Sequence, residues 1–208
     1  MGYKYLNIEK WSRKDHFLFF SKFEEPFFGI CSRVDCTKAI QTCKNNGYSF
    51  FQFYLHACLQ AVNSIIDFRY RIQEGKVLVY DEIGASSTVN RPNGTFGFSY
   101  IPFERDFIQF SSQTTTILEE VRNSKELLPS GSADNVIHFS VLPWLDFTSV
   151  SHARPFSAED SCPKITIGKV IEHNGKSSFA VSIHAHHALM DGYHIGLFVE
   201  AFQNQLDS

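Results

Sequence analysis

The residues best suited to chemistry lie near the C-terminus, in His186-His187-Ala188-Leu189-Met190-Asp191-Gly192. An imidazole titrates near neutrality, so it can take a proton from a hydroxyl at pH 7. An aspartate four residues after His187, followed by a glycine, can fix a turn or hold a partner cation. The same string also suits a hydrogen-bonded strand end in a chain with nine histidines. The motif alone supports both readings. His186 should point to the opposite strand face from His187 by period-two alternation, and is read as structural. His184 and His186 share a face and could hold zinc, but no third ligand is evident and no metal is expected.

The elements around the motif must position it. Phe179 to Ala185 alternates as a strand, and Asp191 to Leu206 reads as an amphipathic helix. Ser12 precedes a short helix, Arg13 to Phe20, with Asp15 where a capping-box acid would sit. Phe28, Ile30, Ser32 and Val34 alternate as a strand. Thr37 to Asn45 reads as a helix stopped by Asn46-Gly47. Phe50 to Ile65 is apolar nearly all round, so a buried helix is expected. Phe68 to Ile72 and Val77 to Tyr80 predict a hairpin. Phe96, Phe98 and Tyr100 alternate, Arg105 to Ser124 reads as a long helix, and Val136 to Leu142 as a strand closed by Pro143. Lys164 to Glu172 and Ser177 to His187 predict a second hairpin around Asn174-Gly175. Strands interleaved with helices and hairpins imply α/β with a mixed sheet.

Composition narrows the function classes. The 208 residues suit one domain, residues 1–208, with a substantial core. Aromatics are abundant, with 21 Phe, and can fill a core or line a pocket for a flat apolar ligand. A net charge of −3 with no long basic run argues against nucleic acid. Five cysteines without CxxC spacing argue against a disulfide framework or structural zinc and for a reducing cytoplasm. No stretch is apolar for long enough to span a bilayer or serve as a signal peptide, so a soluble cytoplasmic protein is expected. Phosphate-binding glycine loops and the GxSxG elbow are absent from the sequence.

Four islands together resemble the classical, trimeric chloramphenicol acetyltransferases over essentially the whole chain. They are Trp11 to Phe17, Thr95-Phe96, Ser140-Val141-Leu142-Pro143-Trp144, and His186 to His194. The reduced motif HxxxDG is shared by acyltransferase cores of 2-oxo acid dehydrogenase complexes and by peptide-synthetase condensation domains. The order and spacing of all four islands is specific to the chloramphenicol-type enzymes. The resemblance implies a two-layer α/β sandwich of the CoA-dependent acyltransferase fold. It implies acetyl-CoA as cosubstrate, no permanently bound cofactor, and chloramphenicol or a similar small hydroxyl compound as acceptor. It implies antibiotic inactivation through a ternary complex. It also implies a homotrimer with active sites between subunits.

The same resemblance implies residue roles. His187 would be the general base and Ser140 the oxyanion donor. Asp191 and Arg13 would form a structural ion pair, and Thr166 would support the transition state through a water. Phe20, Phe96 and Trp144 would line the acceptor site, and Phe51, Trp144 and Lys169 would hold CoA. Ser49, Phe51 and Val170 depart from the CoA-holding residues of the best-known members. Phe20 stands where a tyrosine is common, and Phe23-Glu24-Glu25-Pro26 where apolar pocket residues are common. These departures leave two alternatives: the same chemistry on another hydroxyl acceptor, or a binding homologue with weak catalysis. A dehydrogenase-complex core is disfavoured by the lack of a lipoyl domain, and a condensation domain by the short chain.

Overall fold

The apolar residues of alternate strand positions mostly reach one face of the main sheet, and the helices cover that face. The computed structural model describes residues 2–129, 131, 133–154 and 160–208. Among these, strands β1 (Tyr3–Tyr5), β2 (Phe27–Asp35), β3 (Tyr70–Gln73), β4 (Lys76–Tyr80) and β5 (Gly84–Asn90) alternate with helices α1 (Lys14–Phe20), α2 (Thr37–Asn46) and α3 (Phe50–Ser64). Then come β6 (Phe96–Phe98), α4 (Phe107–Asn123), β7 (Val136–Val141), β8 (Lys164–Ile167), β9 (Ile171–His173), β10 (Lys176–His186) and α5 (Gly192–Leu206).

The main sheet runs β2-β10-β8-β7-β5-β6, with β9 also on β10. It is mixed: β5, β7 and β8 pair in parallel, and the remaining pairs are antiparallel. A second sheet, β1-β4-β3, stands apart. Ile137, Phe139, Ile165, Ile167, Phe179, Val181 and Ile183 pack with α3 and α5 residues such as Leu55, Leu59, Phe198 and Phe202 in one core. The intervening positions, among them His138, Ser140, Lys164, Thr166, Ser182 and His184, face the other way. One face is thus apolar and covered by helices, and the other is polar. No helix among the described residues is long and apolar enough to cross a membrane.

Most expected elements form within a residue or two of their expected bounds, and several differ for physical reasons. Arg13, not Ser12, occupies the cap position of α1, and no side chain caps that helix. The guanidinium is engaged elsewhere, as described below. The Lys164–Glu172 arm is two strands: β8 and β9 both pair with β10, but three residues (Gly168 to Val170) stand opposite two (Phe179 and Ala180), a bulge that breaks the ladder. Ile66–Arg69 is a short 3-10 turn, so the first hairpin starts at Tyr70. Strands β1 and β5 carry no apolar alternation and were not expected. Gly47 ends α2 at φ 70°, a left-handed cap where glycine is unstrained.

Candidate active site

The motif turn is held by two cores at once. Ala188 and Leu189 are fully buried in a small cluster with Phe17, Tyr70, Val77 and Val79. Met190 is buried in the main core. Leu189 and Met190 both donate backbone hydrogen bonds to the His186 carbonyl. The turn between β10 and α5 therefore has little freedom, and His187 at its head is fixed in place.

Its ring is fixed as well. The His187 backbone N–H donates to the Pro26 carbonyl at 2.8 Å. Its imidazole lies flat on Phe20, centroids 3.9 Å apart and 4° from parallel, with Phe28 on another side at 4.6 Å. Nδ1 is buried without a hydrogen-bond partner, which leaves Nε2 as the nitrogen open to a substrate. A base acting through Nε2 carries its own proton on Nδ1.

Asp191 caps α5, its Oδ1 accepting from the Tyr193 N–H at 3.0 Å. Its Oδ2 pairs with Arg13 Nη1 at 2.5 Å, and Arg13 Nη2 donates to the His187 carbonyl at 3.3 Å. One guanidinium thus bridges both ends of the motif turn, a geometry that suits its planar fork. Burial pulls the Asp191 carboxyl up, but the hydrogen bond and charge of Arg13, with His194, outweigh it and hold the group down to about 2. His194 closes a capping box on Asp191, with Nδ1 2.9 Å from Asp191 Oδ1, and turns Nε2 to Asp67 Oδ1 at 3.4 Å. Burial raises the Asp67 carboxyl.

Ser140 and Thr166 are direct partners in the parallel β7–β8 register. Both sit on the helix-free face. A cavity of about 350 Å³ opens beside Ser140, walled also by Ser86, Tyr100, His138, His152 and Lys164. Thr166 is buried, with Oγ1 3.5 Å from His152 Nε2.

His187 and Ser140 are not brought together within one chain. Ser140 pairs with Thr166, Thr166 pairs with Ser182, and His187 lies five positions beyond Ser182 along β10. That is two strand spacings across and five rises along, about 20 Å in all. Around His187, Phe19 and Phe23 are 58% and 46% exposed. On the cavity side, Phe96 and Leu128 are 45% and 46% exposed. Both regions thus carry uncovered apolar groups.

Other candidate residues fall at the far end of the sheet. Trp144 follows β7 and is 67% exposed. Lys169 is exposed in the bulge, where its N–H donates to the Leu145 carbonyl at 2.8 Å. Phe51 is half-buried on α3, edge-on to Tyr54 and Phe139. Glu25 meets a partner: it forms an ion pair with Arg154 and accepts from the Phe27 N–H, while Glu24 is exposed. His186 is buried on the face opposite His187, its Nδ1 accepting from the Ala188 N–H at 3.3 Å. His184 contacts the ring of His152 at 4.8 Å and lies across Gly29, where a Cβ would come within 2.6 Å of the imidazole.

Sequence reasoning missed His138, His152 and Lys164 at the cavity, and Asp67 and His194 at the turn. His138 and Lys164 were accessible, since each stands two residues before Ser140 or Thr166 on the same strand face. His194 stands at the third helical position, where capping-box partners occur. His152 and Asp67 carried no local signal.

A family model described as chloramphenicol acetyltransferase matches residues 1–203. The chain belongs to the chloramphenicol acetyltransferase family. Chloramphenicol acetyltransferase 3 of Escherichia coli is 26% identical over 210 residues, covering 100% of this chain and 99% of the relative. The chloramphenicol acetyltransferase of Staphylococcus intermedius is 28% identical, covering 98% and 96%. A solved chloramphenicol acetyltransferase superposes with a TM-score of 0.92 at 31% identity, over 99% of this chain and 100% of that one. The cubic core of a pyruvate dehydrogenase complex shares the fold at 16% identity and a TM-score of 0.67, covering 88% of this chain and 82% of that one. As a chloramphenicol acetyltransferase family member, the chain is an acyltransferase with the two-layer, mixed-sheet fold of CoA-dependent acyltransferases.

Proposed function

We propose that this chain is an acetyl-CoA-dependent O-acetyltransferase that acetylates chloramphenicol at sites built by two subunits of a homotrimer. The observation that carries the reading is the clamped His187 ring with only Nε2 open, standing about 20 Å from Ser140 of its own chain. In this reading a second copy brings its His187 to Ser140, and the exposed phenylalanines on both sides suit burial between subunits.

The step is direct. His187 Nε2 takes the acceptor's hydroxyl proton, and the oxygen attacks the thioester carbonyl of acetyl-CoA. The tetrahedral oxyanion accepts a hydrogen bond from Ser140 Oγ, supported by Thr166. Collapse expels the CoA thiolate, which recovers the proton from His187. General-base action is worth about 10²–10⁴ in rate, and one oxyanion donor about 10²–10³. Arg13 and Asp191 hold the turn. Phe20 and Phe96 face the acceptor, Trp144 lies between acceptor and CoA, and Phe51 and Lys169 meet CoA. The five free cysteines suit a reducing cytoplasm.

The test is thiol release from acetyl-CoA with chloramphenicol, comparing wild type with His187→Ala, alongside sedimentation. Release lost in the variant and a stable trimer are expected. An active monomer, or near-normal turnover by His187→Ala, would overturn the reading.

A further inference from the structure

Behind His187 runs a line of charged contacts that ends at Asp67. Arg13 Nη2 donates to the His187 carbonyl at 3.3 Å, and Arg13 Nη1 pairs with Asp191 Oδ2 at 2.5 Å. Asp191 Oδ1 lies 2.9 Å from His194 Nδ1, which also meets the Asp191 N–H at 3.2 Å. His194 Nε2 stands 3.4 Å from Asp67 Oδ1. Both ring nitrogens of His194 thus face a carboxylate oxygen, and the ring cannot turn without losing one of them.

The members behind Asp191 are better buried than Asp191 itself. The side chains of Arg13, His194 and Asp67 are 12%, 13% and 15% exposed, against 31% for Asp191. A carboxylate so far from water is costly unless it is paired, and Asp67 lies in the fields of both His194 and Arg13. Its backbone is firm. Asp67 sits in the 3-10 turn Ile66–Arg69, next to Phe68, which is fully buried against Phe198 of α5 with the rings 5.2 Å apart. Tyr70, just after the turn, is buried in the cluster that holds Ala188 and Leu189. The turn that carries Asp67 is therefore docked on the same helix and the same motif turn that its carboxylate steadies.

We infer that Asp67 and His194 are positioning residues for acetyl transfer: Asp67 anchors the His194 ring, the ring holds the Asp191 carboxylate, and Arg13 passes that placement to His187. The inference rests on the acetyl-transfer reading and adds two residues to it. Both act through the Arg13–Asp191 pair rather than on the reacting atoms.

Steady-state thiol release from acetyl-CoA with chloramphenicol tests this in the full chain. His194→Leu and Asp67→Ala should each lower kcat about three- to tenfold, the net worth of one hydrogen bond. KM for chloramphenicol and for acetyl-CoA should stay within about twofold, because neither side chain lines the Ser140 cavity. The double variant should lose no more than His194→Leu alone, since Asp67 acts through the ring. His194→Gln supplies an acceptor for the Asp191 N–H and a donor for its carboxylate, and should keep kcat within about twofold of wild type. Asp67→Ala leaves the α5 cap in place and carries the test if His194→Leu fails to fold. Unchanged kcat in both single variants, with or without a lowered melting temperature, would overturn the inference. So would losses that multiply in the double variant, or a KM effect at constant kcat. Wild type without release, or release that survives His187→Ala, would remove the acetyl-transfer reading and this inference with it.

Discussion

The imidazole of His187 lies flat against the ring of Phe20, 3.9 Å away and 4° from parallel. The residues are far apart in sequence, one at the end of α1 and the other after β10. The stack sets the plane of the imidazole, and the buried, unpartnered Nδ1 leaves no side-chain hydrogen bond to share that task. Phe20→Ala should therefore lower kcat by about two- to tenfold, the worth of one aromatic pair. Phe20→Tyr should stay close to wild type, because the added hydroxyl keeps the ring. Steady-state kinetics at saturating acetyl-CoA would show this, and an unchanged kcat in Phe20→Ala would assign ring orientation to Phe28 instead.

Arg13 holds the Asp191 carboxyl down to about 2, against about 4 in an unfolded chain. A carboxyl depressed on folding stabilises the fold above the unfolded value and loses that contribution as pH falls from about 4 toward 2. Asp191 is 31% exposed, so after solvent screening the contribution is about 1–2 kcal/mol. Asp191→Asn should be less stable at pH 7 and should lose less stability than wild type between pH 4 and 2. Thermal melts across that range test it; parallel curves would count against the ion pair.

Burial holds the His186 imidazole down to about 4. An unfolded histidine takes a proton near pH 6.5. Between those values the unfolded chain is protonated while the folded one is not, so stability falls as pH drops from about 6.5 to 4. The loss is about 2–3 kcal/mol for this group. His186→Asn keeps an acceptor for the Ala188 N–H and removes the titration. Urea midpoints at pH 7 and pH 5 should differ less in the variant than in wild type.

Arg71 is buried, and among the described residues its guanidinium donates only to backbone carbonyls, those of Phe68, Tyr70, Asp134 and Val136. Phe68 belongs to the 3-10 turn before the first hairpin, Tyr70 to the hairpin itself, and Asp134 and Val136 to the entry of β7. Arg71→Met keeps the volume and strips the carbonyls of their donors. About 3–5 kcal/mol of unfolding free energy should be lost, measured by urea denaturation. A loss under about 1 kcal/mol would mean that water replaces the guanidinium.

The motif, β10 and α5 were legible because alternation, an aspartate cap and 3.6-residue periodicity all agree there. β5 was not, because Gly84-Ala85-Ser86-Ser87 offers small side chains in place of an apolar rhythm; parallel pairing to β7 makes it a strand. The break between β8 and β9 was hidden because a bulge changes register without changing composition. At the site, Arg13 with Asp191 came through family resemblance. Asp67 with His194 did not, since a partner more than a hundred residues away leaves no mark on local sequence. His152 is a single histidine in a loop, and only the folded chain lays it against Thr166 and His184.

The distance along β10 between the Ser182 level and His187 has a genetic consequence. If the base and the oxyanion donor serve each other across subunits, two inactive proteins can repair one another. Mixed and reassembled, His187→Ala and Ser140→Ala chains would form hybrids in which an intact histidine faces an intact serine, while neither variant alone has such a site. The unit on which a substitution acts is then the neighbour, not the chain that carries it.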